Sequence, residues 1–329
     1  MFDHYIAVDW AQTNMAIARM TNGTEKIITI DVPSNVKELQ LYLTRLNGKK
    51  ILTFEETTPS HWLYTELKEF ADEILVCDPY RNHLLSEGPK NDRIDAEKLV
   101  KLLRAGLLNP VFHSGEALHS LRKIVSGYED VVKAGVRQKN QRAALFRAVG
   151  LSKKETVLLE PSQRFVLQGL EQGIESYEKE KSPYEEEFKK LYKQHQAIRN
   201  LESVPGVGII NAVKILAMVV DPRRFKDKGH FISYCGLIKH EKMSGGKSYG
   251  QRSPRYCRIL KCVFKTGAMS ASFHPGPMRD FYTSLIQEHG YADYNARNRI
   301  ARRIATLCYG VLKSGKKLDL EKLKCNSKT

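Results

Sequence analysis

Apolar and polar positions follow two periods along this chain. In the first third, short apolar runs rich in β-forming residues predict strands. They are HYIAVDW (4–10), MAIARM (15–20), KIITIDV (26–32), KILTFEE (50–56) and EILVCD (73–78). The turn TNGT (21–24) contains Asn-Gly, a strong hairpin signal. Between the later strands the spacing changes. Ser34 is placed to cap a helix through about Leu46, with apolar residues at 36, 39, 43 and 46. Pro59 opens a second helix to about Phe70, and DRIDAEKLVKLLRAG (92–106) is a third, ended by Gly106. Three meandering strands followed by strand–helix alternation predict a mixed sheet with helices on its faces.

From Leu118 onward apolar residues at 121, 125, 128 and 132 step by four, three and four, which is coiled-coil spacing. A second long segment, about 160–200, carries EKEKSPYEEEFKK, with a break expected at Pro183. These are long antiparallel helices that either bridge domains and subunits or simply pack on each other as a linker. LESVPGVGIINAVKILAMV (201–219) is a helix, a Pro-Gly-Val-Gly turn and a second helix, the form of a helix-hairpin-helix element. Gly206 and Gly208 there would let backbone N–H groups approach a phosphate, although such a turn is also a common tight connection. NARNRIARRIATLCYGVLKSGKK (295–317) has apolar positions 300, 304, 307 and 311 and a basic opposite face that includes Arg302 and Arg303. The expected class is α/β plus α, and the element order of the first third is that of ribonuclease-H-like folds. The expected parts are an α/β domain over 1–112, a helical coiled coil over 113–200 and a mostly helical domain over 201–329.

Charge separates these parts more sharply than hydropathy does. The total is +16, but residues 1–110 carry net −3, residues 111–200 net +4 and residues 201–329 net +15. The excess in the last third is expected of a surface that lies against a polyanion. No apolar run is long enough to span a bilayer, and the N-terminus lacks a signal-peptide pattern. The six cysteines (77, 235, 257, 262, 308 and 325) contain no C-x-x-C pair, which argues against a structural zinc site and for reduced, buried thiols in a cytoplasmic protein.

Two constellations carry candidate chemistry. Asp9 ends the first strand, Glu55 ends the fourth, and Asp92 and Asp95 share the first turn of a helix at i, i+3. Taken singly, each has a plain structural reading: a strand-end acid, a helix cap or a residue favoured by the helix dipole. Carboxylates forced together repel, which raises their pKa values or recruits a cation, and hard oxygen ligands suit Mg²⁺ or Mn²⁺. Lys90 and Arg93 flank them and would help hold a phosphate. The second constellation is EKMSGGKSYGQRSPRYCR (241–258), which sets Ser244 before a double glycine. Lys242, Lys247, Arg252, Arg255 and Arg258 are placed to clamp phosphates there, and Tyr249 and Tyr256 to stack on bases. His240 is the nearest sequence candidate for a base. Ser-Gly-Gly is also ordinary loop chemistry.

VDWAQ (8–12), FEETT (54–58), NDRIDA (91–96), VPGVG (204–208) and YCGLIKHEKMSGGKSYG (234–250) together resemble the DEDD-type insertion-sequence transposases, the IS-one-ten family. That family includes bridge-RNA-guided recombinases and the related Piv-type DNA invertases. The resemblance covers nearly the whole chain. It implies a RuvC-like N-terminal domain, a coiled-coil insertion and a C-terminal transposase domain. It further implies that Asp9, Glu55, Asp92 and Asp95 form a metal-binding tetrad. Ser244 would be a nucleophile forming a covalent phosphoserine–DNA link, in a site whose halves come from different subunits of an RNA-bound assembly. Double-stranded DNA, a structured bridge RNA and further copies of the chain are the implied partners, in the cytoplasm and at the nucleoid. A Piv-like invertase without a guide, or a RuvC-like nuclease using water, are the alternative readings. The family's E-A-T-G is here Glu55-Glu56-Thr57-Thr58, so Glu56 competes as the ligand, and Ser253-Pro254 stands where a Gly-Asn pair is usual.

Overall fold

The apolar runs of the first third form five strands: β1 (His4–Trp10), β2 (Asn14–Thr21), β3 (Ile27–Pro33), β4 (Lys50–Glu55) and β5 (Glu73–Cys77). This is a computed structural model, and it describes residues 1–79, 91–112, 116–152 and 159–319. The strand order is β3-β2-β1-β4-β5, with β1–β2 and β2–β3 antiparallel and β1–β4 and β4–β5 parallel. The sheet is therefore mixed, as its sequence pattern implied.

Alternation along the strands builds two cores. Ile6, Val8, Met15, Ile17, Leu52 and Phe54 point to one face, where α1 (Val36–Thr44) and α2 (Ser60–Leu67) pack with Leu39, Leu43, Leu63 and Leu67. Ala7, Ala16, Ala18 and Ile51 point to the other, against Ala96, Leu99, Val100 and Leu103 of α3 (Asp92–Arg104). Alanines at the centre of that second face leave room for a helix to lie close to the sheet. The cap of α1 is Asn35, whose side chain accepts from Lys37 N, and not Ser34 as the sequence suggested. Ser34 Oγ instead donates to Ala11 O at 2.8 Å.

The chain divides into two compact units, residues 1–113 and 114–329. In the second, α4 (Glu116–Ala148) and α5 (Pro161–Gln194) lie along each other. The expected break at Pro183 does not occur, because α5 runs straight through it. Tyr184 and Phe188 on the following turn pack on Tyr128 of α4, and that packing compensates the lost backbone bond. Three glycines notch this pair. A Cβ on Gly127 or Gly135 of α4 would collide with Tyr184 or Tyr177 of α5, and one on Gly173 of α5 would collide with Gln138 of α4. Phe146, Leu159 and Leu167 form a small separate core near the far end.

The remainder is helical: α6 (Gln196–Glu202), α7 (Ile209–Val219), α8 (Lys228–Tyr234), α9 (Arg258–Phe273), α10 (Pro277–Gln287) and α11 (Asp293–Ser314). The apolar stripe predicted for the last helix is its buried side, with Ile300, Ile304 and Val311 in the core. Between α8 and α9 lies one element that the helical expectation missed, a hairpin of β6 (His240–Ser244) and β7 (Lys247–Arg252). Not every described cysteine is buried, as had been expected: Cys77, Cys235 and Cys308 are, but Cys262 is exposed. Among the described residues no helix is long and apolar enough to cross a membrane.

Candidate active site

Strand parity decides where the acids point. Asp9 stands opposite Ala16, so it faces α3 together with Ala7 and Ala18. Glu55 lies on the same face, two residues beyond buried Thr53 and four beyond Ile51, while Phe54 faces the opposite core. The parallel pairing of β1 and β4 ends at Val8–Phe54, which sets Asp9 and Glu55 side by side one step further on. Both acids thus stand at the carboxyl ends of parallel strands, where open α/β sheets place their ligands.

The fourth strand leaves two candidates in sequence, and the structure separates them. Glu55 is half-buried, whereas Glu56 is exposed, with its backbone N–H donating to Cys77 O. Asp92 and Asp95 occupy the first turn of α3, whose cap is Asn91 with its side chain on Arg93 N. The two aspartates are therefore free of the capping role that either could have filled. Asp92 is exposed and Asp95 half-buried.

The acids sense one another. Burial pushes the Asp9 carboxyl up to about 6, and the neighbouring charges of Asp92, Asp95 and Glu55 push in the same direction. Glu55 is raised by burial and then by Asp95 and Asp78. Asp78 is a fifth acid that the sequence reading passed over. It follows β5 just as Asp9 and Glu55 end or nearly end their strands, and it is 8% exposed. The signal was in the sequence: EILVCD closes on an acid after a parallel strand, as FEE does. Among the described residues Asp95 Oδ1 is shielded from solvent and accepts no hydrogen bond, and Lys98 Nζ lies 3.8 Å from it.

Among the described residues no three His, Cys, Asp or Glu side chains meet closely enough to enclose an ion as they stand. The donor set nevertheless suits a hard divalent cation. All the donors are carboxylate oxygens, one is orphaned, and a cation would relieve the repulsion that burdens Asp9. Arg93 does not face this cluster for a phosphate. Its guanidinium donates to Asp31 Oδ2 at 2.9 Å and to Thr29 O at 3.0 Å, on β3. Lys90 lies outside the described residues.

In the second unit, Ser244 is paired with Lys247 across the turn Gly245-Gly246. Both glycines have positive φ, +54° and +75°, which makes this the two-residue primed turn that matches the twist of a hairpin. Every residue from His240 to Arg252 is exposed. Ser244 is therefore the last strand residue of a projecting hairpin rather than part of a loose loop. His240 sits at the opposite end of β6, about 13 Å away by strand rise, with Nε2 3.4 Å from Ser233 Oγ. It does not serve as a base to Ser244 within this hairpin. Lys242, Lys247 and Arg252 lie on the two strands, Arg255 is exposed between β7 and α9, and Arg258 is exposed as the first residue of α9. Tyr249 is 66% exposed. Tyr256 is engaged, lying against Gly236 and under Lys261 Nζ at 4.2 Å.

The other predicted nucleic-acid contacts divide. Gly206, at φ +86°, is accounted for by packing: a Cβ there would collide with the Gly267 carbonyl of α9. Gly208 meets nothing within 4 Å and starts α7 with no side-chain cap on its N–H groups. Arg302 Nε donates to Leu237 O at 2.8 Å, and Arg303 lies over Phe281 at 4.5 Å. Both hold the fold together, although Arg302 remains exposed.

A mixed sheet with carboxylates at two strand ends and two more in the first turn of α3, with a cationic serine hairpin elsewhere in the chain, is the arrangement that the resemblance to DEDD-type transposases implies. Comparison with known proteins gives the same class from sequence. A DEDD transposase profile of the IS110 type matches residues 6–150, and the profile of the "Transposase IS116/IS110/IS902 family" matches residues 198–283. The chain belongs to that family. It is 30% identical over 128 residues to an uncharacterized 44.8 kDa protein of insertion element IS116 from Streptomyces clavuligerus, covering 39% of this chain and 32% of the relative. To the transposase of IS1111A from Coxiella burnetii it is 24% identical over 204 residues, 57% of this chain and 56% of the relative. A putative transposase from Sinorhizobium fredii matches at 22% over 313 residues, 81% and 80% of the two chains. The first relatives are thus matched over about a third to somewhat more than half of their length.

Proposed function

We propose that this chain is a DNA transposase or site-specific recombinase that cuts and rejoins strands through Ser244. The observation that carries the reading is the placement of Asp9 and Glu55 side by side at the carboxyl ends of β1 and β4, on the face that α3 covers with Asp92 and Asp95 in its first turn. A chain with no use for a cation would gain stability by losing such a cluster. On this reading residues 1–112 form the RuvC-like domain, 113–200 the coiled coil through which copies associate, and 201–329 the transposase domain.

In the reaction, Ser244 Oγ attacks a DNA phosphorus. A phosphoserine diester forms, the bond to one deoxyribose oxygen breaks, and that oxygen leaves with a proton. Attack by a DNA hydroxyl later reverses the exchange and frees the serine. The exposed position of Ser244 lets a phosphate reach it without rearrangement of any core, and Lys242, Lys247 and Arg252 offset the phosphate charge. Asp9, Glu55, Asp92 and Asp95 would hold Mg²⁺ or Mn²⁺. When bound, such a cation lowers the cost of deprotonating a hydroxyl and of charge building on phosphorus.

Double-stranded DNA is the substrate, and a structured noncoding bridge RNA is the proposed guide, on the family resemblance and the basic last third. The protein would act in the cytoplasm, on the nucleoid. Ser244→Ala should abolish both strand exchange and any adduct trapped by denaturation of the protein–DNA complex. A fully active Ser244→Ala protein would refute the serine mechanism. Retained DNA nicking without an adduct would point to the water-using nuclease, a reading favoured by the confinement of the acids to one unit. Sequencing the nucleic acid that copurifies tests the guide: a defined RNA from the flanks of the gene supports it, and its absence points to an unguided invertase.

A further inference from the structure

The hairpin register shows an arrangement that the linear sequence hides. Pairs across an antiparallel ladder share a face, and neighbours along a strand alternate. The pairs are His240–Arg252, Glu241–Gln251, Met243–Ser248 and Ser244–Lys247. Between Glu241 and Met243 the register shifts, so that Lys242 alone stands opposite both Tyr249 and Gly250. This is a β-bulge, in which the two bulged residues and the one they oppose project to the same side.

Carried along both strands, these rules put Ser244, Lys247, Lys242, Tyr249, Arg252 and His240 on one face. The other face holds Glu241, Met243, Ser248 and Gln251. Every Lys and Arg of the two strands thus shares the serine's side, and the hairpin's one acid lies on the reverse. Same-face neighbours along a strand are about 6.7 Å apart, close to the separation of successive phosphates on a nucleic-acid strand.

Gly250 keeps this arrangement in phase. With strict alternation and no bulge, Gly250 would pair with Glu241 and Gln251 with His240, and Arg252 would turn to the reverse face. Gly250 has φ +143°, a conformation that side-chain-bearing residues rarely adopt, and a Cβ there would meet nothing within 4 Å. The need for glycine is therefore conformational rather than a matter of space. We propose that Gly250 is a positioning residue whose bulge holds Arg252 on the serine's face, completing a one-sided cationic surface for a phosphodiester strand. This deepens the serine reading and rests on it for its meaning, but its test does not need the chemistry.

The test measures binding of the full-length protein to a random-sequence duplex DNA across a salt series. Gly250→Val favours the unbulged register and should lower the slope of log K against log salt by about 0.9, one phosphate contact. Arg252→Gln should lower it equally, and the double variant by no more than either single one. Removing residue 250 outright, which leaves regular pairing with Arg252 still opposite His240, should restore the slope that the valine loses. Since residues 240–252 are all exposed, each variant should melt with the parent. An unchanged slope in Gly250→Val overturns the proposal. So does a loss that removal fails to restore, or additive losses in the double variant. Ser244→Ala, measured alongside, should keep the parent slope. If that variant also keeps strand exchange, the serine mechanism fails while the slope still decides the role of Gly250.

Discussion

Asp9→Asn should stabilise the metal-free first unit at neutral pH. Asp9 has a folded-state pKa raised from 3.8 to about 6, chiefly by burial and then by Asp92, Asp95 and Glu55. A raised carboxylate binds its proton more tightly when folded, so stability falls as pH rises from about 4 through 6, and the loss is complete above. The shift of about two pH units corresponds to ~3 kcal/mol. Solvent screening at a half-exposed group reduces this to roughly 1–2 kcal/mol. The two tryptophans of the chain, Trp10 and Trp62, both lie in this unit with ring centroids 5.7 Å apart. Their fluorescence therefore reports its unfolding without interference from the helical unit. In urea titrations with a chelator present, the advantage of Asp9→Asn over the parent should grow between pH 4 and pH 7 by that amount. Added Mn²⁺ should then stabilise the parent and not the variant. A difference that stays flat with pH, or that grows in the parent's favour, would refute the coupling of the four acids.

Glu55→Gln should weaken Mn²⁺-induced stabilisation, and Glu56→Gln should leave it at the parent value, because only Glu55 shares the α3 face; titration of the tryptophan signal checks both. Gly206→Ala should cost about 2–4 kcal/mol in denaturant unfolding, since it combines a collision with the Gly267 carbonyl and positive φ. Gly208→Ala, with open space around it, should change stability by less than about 1 kcal/mol. Arg302→Ala should cost about 1–2 kcal/mol through the lost bond to Leu237 O, read as a lower melting temperature.

The sequence revealed most where one period ran undisturbed. β1 to β5, α3 and the buried stripe of α11 follow from alternation or from steps of three and four. Three features did not, two of them because a contact remote in sequence outweighed a local rule. Pro183 stays helical because Tyr184 and Phe188 find Tyr128 some sixty residues earlier. Gly206 suggested a phosphate, but its reason is Gly267 on another helix. The hairpin 240–252 was hidden because HEKMS and KSYGQR have no apolar alternation to betray them: both their faces are wet, and only the paired glycines marked the turn. Among the candidate site residues, the positions of Asp9, Glu55, Asp92 and Asp95 as strand-end and helix-start acids were legible in the sequence. That Glu55 and not Glu56 shares the face covered by α3 needed the fold.

The glycine notches in α4 and α5 have a mechanical consequence. Gly127 and Gly135 receive Tyr184 and Tyr177, and Gly173 receives Gln138, so each helix carries both cavity and plug. A slide of one helix along the other by a single turn would drive an aromatic ring into a neighbouring side chain. The pair therefore has one axial setting and one rotational phase over the ~50 Å length of α4. It behaves as a gauge block: whatever its far end touches is held at a fixed distance and angle.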